Sequence, residues 1–361
     1  MTDQTHPITF FLGANTARGF FSLYDQWIDQ ERAQGFYTIK GGPGCGKSTL
    51  MAGVARAVEA QGYQVEYIRC SGDPDSLDGV SIPGKGAALM DATSPHRADP
   101  AYPGAAGHYV DLGAGYDRKA LLGIRQDIIE ATRGYQACYP QAYRRFQAAA
   151  ESIRRGQGPL HTAQAIEKTK KRAAVLLDRE AGAPKEGRGR RRLRFLGGLT
   201  CQGRLLLEDS AAALCSHGYQ IKDDCGLADL LLRQLEEGFL DRGYDVISCL
   251  DPMCPERLAH LLVPDREVAF LTGAVQSLDC RTIRTESLVE KEAWQEGRGF
   301  LRLSLRVAEE LVEEGLDCLA QAKARHDRLE ELYHPHVDFS LCQEETDRLT
   351  REILALPDVT G

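Results

Sequence analysis

What this chain does not carry narrows it first. No apolar run among its 361 residues approaches the roughly 18 that a membrane helix needs, so no spanning helix is expected. The opening stretch MTDQTHPITFFLG has no basic segment leading into a long apolar core, and no secretory leader is expected. Positive charge is not in excess: 44 Lys and Arg stand against 52 Asp and Glu, a formal charge of −8. That balance favours solubility and argues against broad nucleic-acid binding. There is no CxxC pair and no zinc-ligand spacing. The 11 cysteines are scattered and odd in number, which argues against a disulfide framework and points to reduced thiols in a cytoplasm. What is left, at 43% hydrophobic and 27% charged, is a globular composition with room for two ordinary domains or one large one.

Against that background one stretch is specific. Gly41-Gly42-Pro43-Gly44-Cys45-Gly46-Lys47-Ser48 satisfies the phosphate-loop pattern G-x-x-x-x-G-K-[ST] completely. Before it lies the β-prone run Phe36-Tyr37-Thr38-Ile39. After it Leu50, Met51, Val54, Ala55 and Val58 fall on one helical face, with Gly62 as a stop. Strand, glycine loop and helix are what the chemistry requires. Glycines let backbone N–H groups converge on phosphate oxygens, and the helix N-terminus adds a favourable dipole. In such a loop Lys47 reaches the β- and γ-phosphates, the Ser48 hydroxyl ligates Mg²⁺, and Thr49 bonds the α-phosphate. Cys45 reads as a small residue tolerated within the loop; a thiol lowered by the helix terminus would offer an oxidation switch.

The chain also repeats itself. Phe11-Leu12-Gly13, Thr16 and Gly19 return as Phe195-Leu196-Gly197, Thr200 and Gly203. Ile39-Lys40 returns as Ile221-Lys222, Gly62-Tyr63 as Gly243-Tyr244, Asp73-Pro74 as Asp251-Pro252, and Ile82-Pro83 as Val263-Pro264. Without gaps, Gly41 and Gly42 become Asp223 and Asp224, Lys47 becomes Asp229 and Ser48 becomes Leu230. Carboxylates then stand where phosphates would go, and charges about 4 Å apart repel by several kcal/mol near a surface. The second loop is therefore expected to be inert.

The repeat ranks further candidates. Asp91 ends the short apolar run Ala87–Met90, where an acid holds Mg²⁺ in phosphate-loop proteins, and it falls opposite Thr272. Ala92 follows it, so no glutamate stands beside the metal acid to activate water. Asp75, replaced by Met253, is the candidate for orienting a nucleophile; Arg18, replaced by Gln202, is the candidate for touching nucleotide or phosphate. His96 follows the Asp91 run closely enough to face the site. Elsewhere, Tyr143–Arg155 and Ala163–Arg179 read as helices broken at Gly156–Pro159. Leu301 to Leu332 reads as a long amphipathic stretch with a break near Gly315 and a stop at His334-Pro335. His334-Pro335-His336 reads as a turn, and no catalytic constellation stands out in these helices. Gly and Arg residues over 183–193 read as a solvated tether.

The stretches FLGANTARGF, GGPGCGKSTL, SLDGVSIPGKGAALMDATSPHRADPAYPG and RFLGGLTCQG resemble a bacterial family of tandem P-loop NTPases, described only as ATPase-like. The resemblance implies a phosphate loop in each half; here DDCGLAD departs from that in the second. The expected fold is α/β: a phosphate-loop lobe with its helices over 1–182, a linker over 183–193, and a degenerate lobe with C-terminal helices over 194–361, paired as a pseudo-dimer. The expected function is Mg²⁺-dependent ATP or GTP binding with hydrolysis in the first lobe, coupled to conformational change. A phosphotransferase acting on a small acceptor and a nucleotide-gated interaction protein are the alternatives.

Overall fold

The computed structural model describes residues 7–93 and 99–359. Its first half contains strands β1 (Ile8–Phe11), β2 (Gly13–Thr16), β3 (Gly19–Ser22), β4 (Gly35–Lys40), β5 (Glu66–Arg69), β6 (Leu77–Ile82), β7 (Ala87–Asp91) and β8 (Gly107–Asp111). Helix α1 (Lys47–Glu59) follows β4; α2 (Arg118–Gly123), α3 (Arg125–Gln136), α4 (Tyr139–Gln157) and α5 (Ala163–Glu180) follow β8. The second half brings β9 (Arg191–Arg194), β10 (Gly197–Thr200), β11 (Gly203–Leu206), α6 (Glu208–Leu214), β12 (His217–Lys222), α7 (Ala228–Asp241) and β13 (Val246–Leu250). It ends with β14 (Leu258–Val263), β15 (Val268–Thr272), β16 (Cys280–Arg284), α8 (Lys291–Tyr333) and α9 (Ser340–Ala355).

Two six-stranded mixed sheets result, each followed by helices, and they make two lobes. The first runs β1-β5-β6-β7-β4-β8 and the second β9-β13-β14-β15-β12-β16. Position for position the pairings agree: β4 is parallel to β7 and β8 as β12 is to β15 and β16, while β6 and β14 run antiparallel to both neighbours. The duplication read from the sequence is thus repeated in topology. Both faces of the first sheet are covered, which is why β7 reads as a continuous apolar run. Its alternate residues serve different cores. Ala87 and Leu89 pack with Leu50, Val54 and Val58 of α1, whereas Ala88 and Met90 join the core shared with the second lobe.

The lobes meet about a local pseudo-twofold. Phe11 and Phe195, equivalent in the repeat, exchange backbone hydrogen bonds of 2.9 Å in both directions. Beside them Arg194 pairs with Glu66 at 2.8 Å, both side chains buried, and Trp27 Nε1 donates to the same carboxylate at 3.3 Å. Ser210 Oγ accepts the Thr9 N–H at 2.8 Å and donates to the Thr9 carbonyl at 2.6 Å.

The tether expected to reach residue 193 becomes strand β9 at Arg191. Its arginines are neutralised within the chain: Arg188 by Glu237 and Asp241, and Arg190 by Asp245.

The helices are exchanged between lobes. α5 packs on α7 of the second lobe, with Leu177 against Gly238 and Leu176 in the same core as Leu235. α9 packs on α1 of the first lobe, where Cys342, Leu349 and Ile353 join Leu50 and Val54. Between them α4 and α8 run antiparallel, as Arg145–Glu314 (3.0 Å) and Ser152 Oγ to the Ser304 carbonyl (2.9 Å) record. α8 is continuous over 43 residues, so the break expected at Gly315 is not there. A Cβ on Gly315 would lie 2.3 Å from the Phe146 ring, so this glycine permits close helix contact.

Cutting one side of the buried Arg194–Glu66 pair leaves an uncompensated charge, worth about 3–5 kcal/mol. Arg194→Met is expected to lower unfolding stability by that order in urea titration, and adding Glu66→Leu to restore most of it.

Candidate functional site

The first phosphate loop joins β4 to α1. Gly44 and Gly46 take φ of 67° and 93°, conformations in which a Cβ is strained, so the backbone turns tightly onto the helix N-terminus. Among the described residues no side chain caps α1 there. Lys47, its first residue, donates from Nζ to the Gly41 and Gly42 carbonyls at 3.0 and 2.9 Å. The same Nζ lies 3.6 Å from Asp91 Oδ2, both side chains largely buried. Asp91 is carried in by the pairing of β7 with β4, opposite Ile39, and its Oδ1 accepts from the Thr93 N–H and hydroxyl at 2.8 and 2.6 Å. Ser48 Oγ accepts the Leu77 N–H at 3.0 Å; Thr49 is exposed and Pro43 half-buried. Lys47, Ser48 and Asp91 therefore converge on one loop. Hard oxygen donors of Ser48 and Asp91 beside a lysine suit Mg²⁺ together with phosphate. Burial pushes the Cys45 thiol up, against the activated thiol that a helix terminus alone would give.

Arg18 and Asp75 are placed differently. Arg18 pairs with Glu256 at 3.0 Å, and Asp75 Oδ2 accepts from Gln202 Nε2 at 2.8 Å. Both contacts cross between the lobes. They are related by the pseudo-twofold, because the equivalent strands β6 and β14 begin at Leu77 and Leu258, which sets Asp75 opposite Glu256 rather than Met253. His96 lies outside the described residues.

Sequence reasoning missed the far end of α8. Lys323, His326, Asp327, Glu330 and His334 recur at helical spacing as one polar stripe, a signal readable in the sequence but not tied there to the loop. The exchange of helices lays the end of this stripe, Glu330 and His334, against the first phosphate loop. A Cβ on Gly44 would stand 2.7 Å from His334 Nε2 and 3.3 Å from Glu330 Cβ. Lys323 Nζ reaches Asp73 at 3.5 Å and also pairs with Asp327. His326 Nδ1 lies 3.7 Å from Glu330 Oε1, and its ring meets Tyr135 edge to face at 5.1 Å. His326, Asp327 and Glu330 bring ligand atoms within 4.8 Å of one another, close enough to share a divalent cation. Tyr116 closes another side, its hydroxyl accepting the Gly42 N–H at 2.5 Å, and Cys342 Sγ donates to the Gly46 carbonyl at 3.4 Å.

The second loop has satisfied itself. Asp223, in the place of Gly41, turns its carboxylate onto the helix terminus and accepts the Leu227 and Ala228 N–H groups at 2.9 and 3.0 Å. The buried Thr285 hydroxyl adds a third bond at 2.7 Å. This loop is also one residue shorter. Ile39 to Lys47 is eight steps and Ile221 to Ala228 is seven, and each helix begins at the second residue named. The ungapped alignment is corrected accordingly: Lys47 corresponds to Ala228, and Ser48 to Asp229. Asp229 Oδ1 accepts the Leu258 N–H at 2.7 Å, as Ser48 accepts that of Leu77. Thr272 does lie where Asp91 lies, opposite Ile221. A cavity of about 480 Å³ remains beside this loop, lined by Lys222, Asp224, Arg284 and Glu286 among others.

A family model described as Nephrocystin 3, N-terminal, matches residues 20–81, which span the first loop and its flanking strands. No curated protein and no solved structure matches the chain. The family match is therefore a local likeness around the first loop.

An internal carboxylate on two helix amides is worth about 1–2 kcal/mol. Asp223→Ala is expected to lower stability by that order in denaturant titration.

Proposed function

We propose that the first lobe binds ATP or GTP with Mg²⁺ and hydrolyses it, and that the second lobe is a structural platform without a nucleotide of its own. The observation that carries this is the contrast between the loops. One keeps the full motif, with Lys47 held between loop carbonyls and Asp91; the other has an aspartate on the same helix terminus and an alanine in place of the lysine. The local family match over residues 20–81 supports attention to the same loop.

Catalysis of phosphoryl transfer is mainly positioning and charge neutralisation. Loop amides and the α1 dipole would hold the phosphates, and the Lys47 ammonium would leave its carbonyl partners for the β- and γ-oxygens. Ser48 and Asp91 would hold Mg²⁺, which when bound supplies further neutralisation of the phosphate charge. The contacts of Tyr116, Glu330, His334 and Cys342 on the loop favour a second role. A phosphate that alters the loop alters the seat of α8 and α9, so nucleotide state would be passed to the second lobe. A partner that reads this state and an acceptor other than water are the alternatives, told apart by the product formed.

Saturating nucleotide at a hundredfold excess over Kd stabilises a protein by about 2.7 kcal/mol. Wild-type chain with ATP and Mg²⁺ is expected to gain that order of stability in thermal denaturation. Lys47→Ala is expected to lose the gain, and Asp229→Ala to keep it. Calorimetry is expected to count one nucleotide per chain; a count of two would remove the distinction between the loops.

A further inference from the structure

Away from the first loop, an open space is left where α4 crosses the second lobe. A cleft of about 700 Å³ lies between α4 and the loop joining β13 to β14, with the tip of the β2–β3 hairpin at one side. That volume is in the range of small-molecule sites. The α4 wall is legible in the sequence. Arg144, Gln147, Ala148, Glu151, Arg154 and Arg155 fall at helical spacing, which sets them on one face of the helix.

The charges of the cleft do not balance. Arg18, Arg144, Arg154, Arg155 and Arg257 line it against Glu151, Asp251 and Glu256, five cations against three carboxylates, in a chain of net charge −8. The excess is concentrated at the C-terminal end of α4. Glu151 by itself holds both Arg154 and Arg155, at 2.8 and 2.6 Å. Arg257 is brought to the same end by Gln157, the last residue of α4, whose side-chain oxygen it meets at 3.3 Å. Its other bond goes to the Gly226 carbonyl at 2.9 Å. Three guanidiniums therefore share one carboxylate there. The other two carboxylates are taken: Glu256 by Arg18 at 3.0 Å, and Asp251 by the Met253 N–H at 2.8 Å. Arg144 lies about 15 Å along the helix from Arg154 and has no partner among the described residues.

Across the pseudo-twofold the sign is reversed. There Gln202 stands in place of Arg18 and meets Asp75, while Lys323 of α8 meets Asp73 and Asp327. The arginine cleft is not something the duplication repeats.

We propose that this cleft binds a phosphomonoester, with the phosphate at Arg154, Arg155 and Arg257 and the body of the ligand along Ile153 and Met253. A phosphomonoester carries about two negative charges at neutral pH and three acceptor oxygens. The charge matches what is left over when three guanidiniums meet one carboxylate, and the oxygens match the paired N–H groups of guanidinium. A carboxylate ligand supplies a single charge and is the poorer match. Ala17, Ala148, Ile153 and Met253 give the cleft its apolar lining, which suits an apolar or aromatic body. The site does not depend on how the first phosphate loop is read.

The test is isothermal titration of the full chain with phenyl phosphate. One site is expected, and it is expected to persist in Lys47→Ala, which removes the lysine of the first loop. Arg154→Gln and Arg257→Gln are each expected to weaken binding about tenfold or more, the scale of a lost hydrogen bond between charged groups. Arg144→Gln is expected to change it by less than about threefold, because its charge stands beyond the screening length at physiological salt. Benzoate, with the same ring and one charge, is expected to bind at least about tenfold more weakly. Arg154 is exposed and pairs within its own helix, so Arg154→Gln carries the test if Arg257→Gln lowers the thermal midpoint. A phosphotyrosyl peptide is then compared with free phosphotyrosine. Equal affinity assigns the site to a free phosphorylated metabolite, and tighter binding of the peptide assigns it to a phosphorylated segment lying along the cleft toward Arg144; either supports the phosphate subsite. Absence of phenyl phosphate binding, its loss in Lys47→Ala, or equal weakening by Arg144→Gln and Arg154→Gln overturns the proposal.

Discussion

The joint between Phe11 and Phe195 is the constraint from which the arrangement follows. Two equivalent residues of a duplicated chain hydrogen-bond to each other, which is the self-complementary contact of a twofold dimer made within one polypeptide. Such a contact fixes one orientation of the two sheets. Buried beside it, Arg194 and Glu66 add a charged pair whose desolvation is compensated only in that register. Once the sheets are set in this way, the helices after each sheet find their apolar partners on the opposite lobe. α5 reaches α7 and α9 reaches α1, and α4 and α8 must cross between them.

A helix that opens on a glycine loop leaves its first N–H groups without intrahelical partners, and something must accept from them. The two lobes answer this differently. In the second, Asp223 supplies a permanent anion, Thr285 braces it, and the loop is shortened by a residue. In the first, the equivalent position is Gly41, no side chain among the described residues caps the helix, and Lys47 is turned back onto loop carbonyls near Asp91. One helix terminus is thus closed by a side chain of its own loop, while the other has an ammonium turned back beside it instead. The same backbone problem produces a stable structural element in one copy and a candidate site in the other.

Much of this was legible in the sequence because it is local. The glycine pattern, the β-prone run before it and the apolar face after it gave β4, the loop and α1 with the burial observed for Leu50 to Val58. The pairing of Asp91 with Thr272 also followed from spacing, since strand register carries it. What was not legible is relational. A one-residue deletion in a loop shifts every correspondence after it, so Asp229 was set against Lys47 instead of Ser48. Arg18 and Asp75 sit where two lobes touch, and no single-lobe alignment shows that Glu256 and Gln202 await them. The polar stripe from Lys323 to His334 was visible as a spacing, but only the crossing of α8 says which surface it faces.

That crossing also joins the two loops through one helix. Leu301, near the start of α8, packs with Cys225 and Leu227 of the second loop, while Glu330 and His334 near its end lie against Gly44 of the first. The 29 residue steps between Leu301 and Glu330 span about 44 Å of unbroken helix. On the proposed reading such a helix would carry a displacement of the first loop along its axis, with the close Gly315–Phe146 contact holding it against α4. Asp223 ties the second loop to its own helix terminus, so on the reading proposed for the first lobe this end of α8 would serve as an anchor. On the proposed reading the second loop would be the support against which α8 and the first site move.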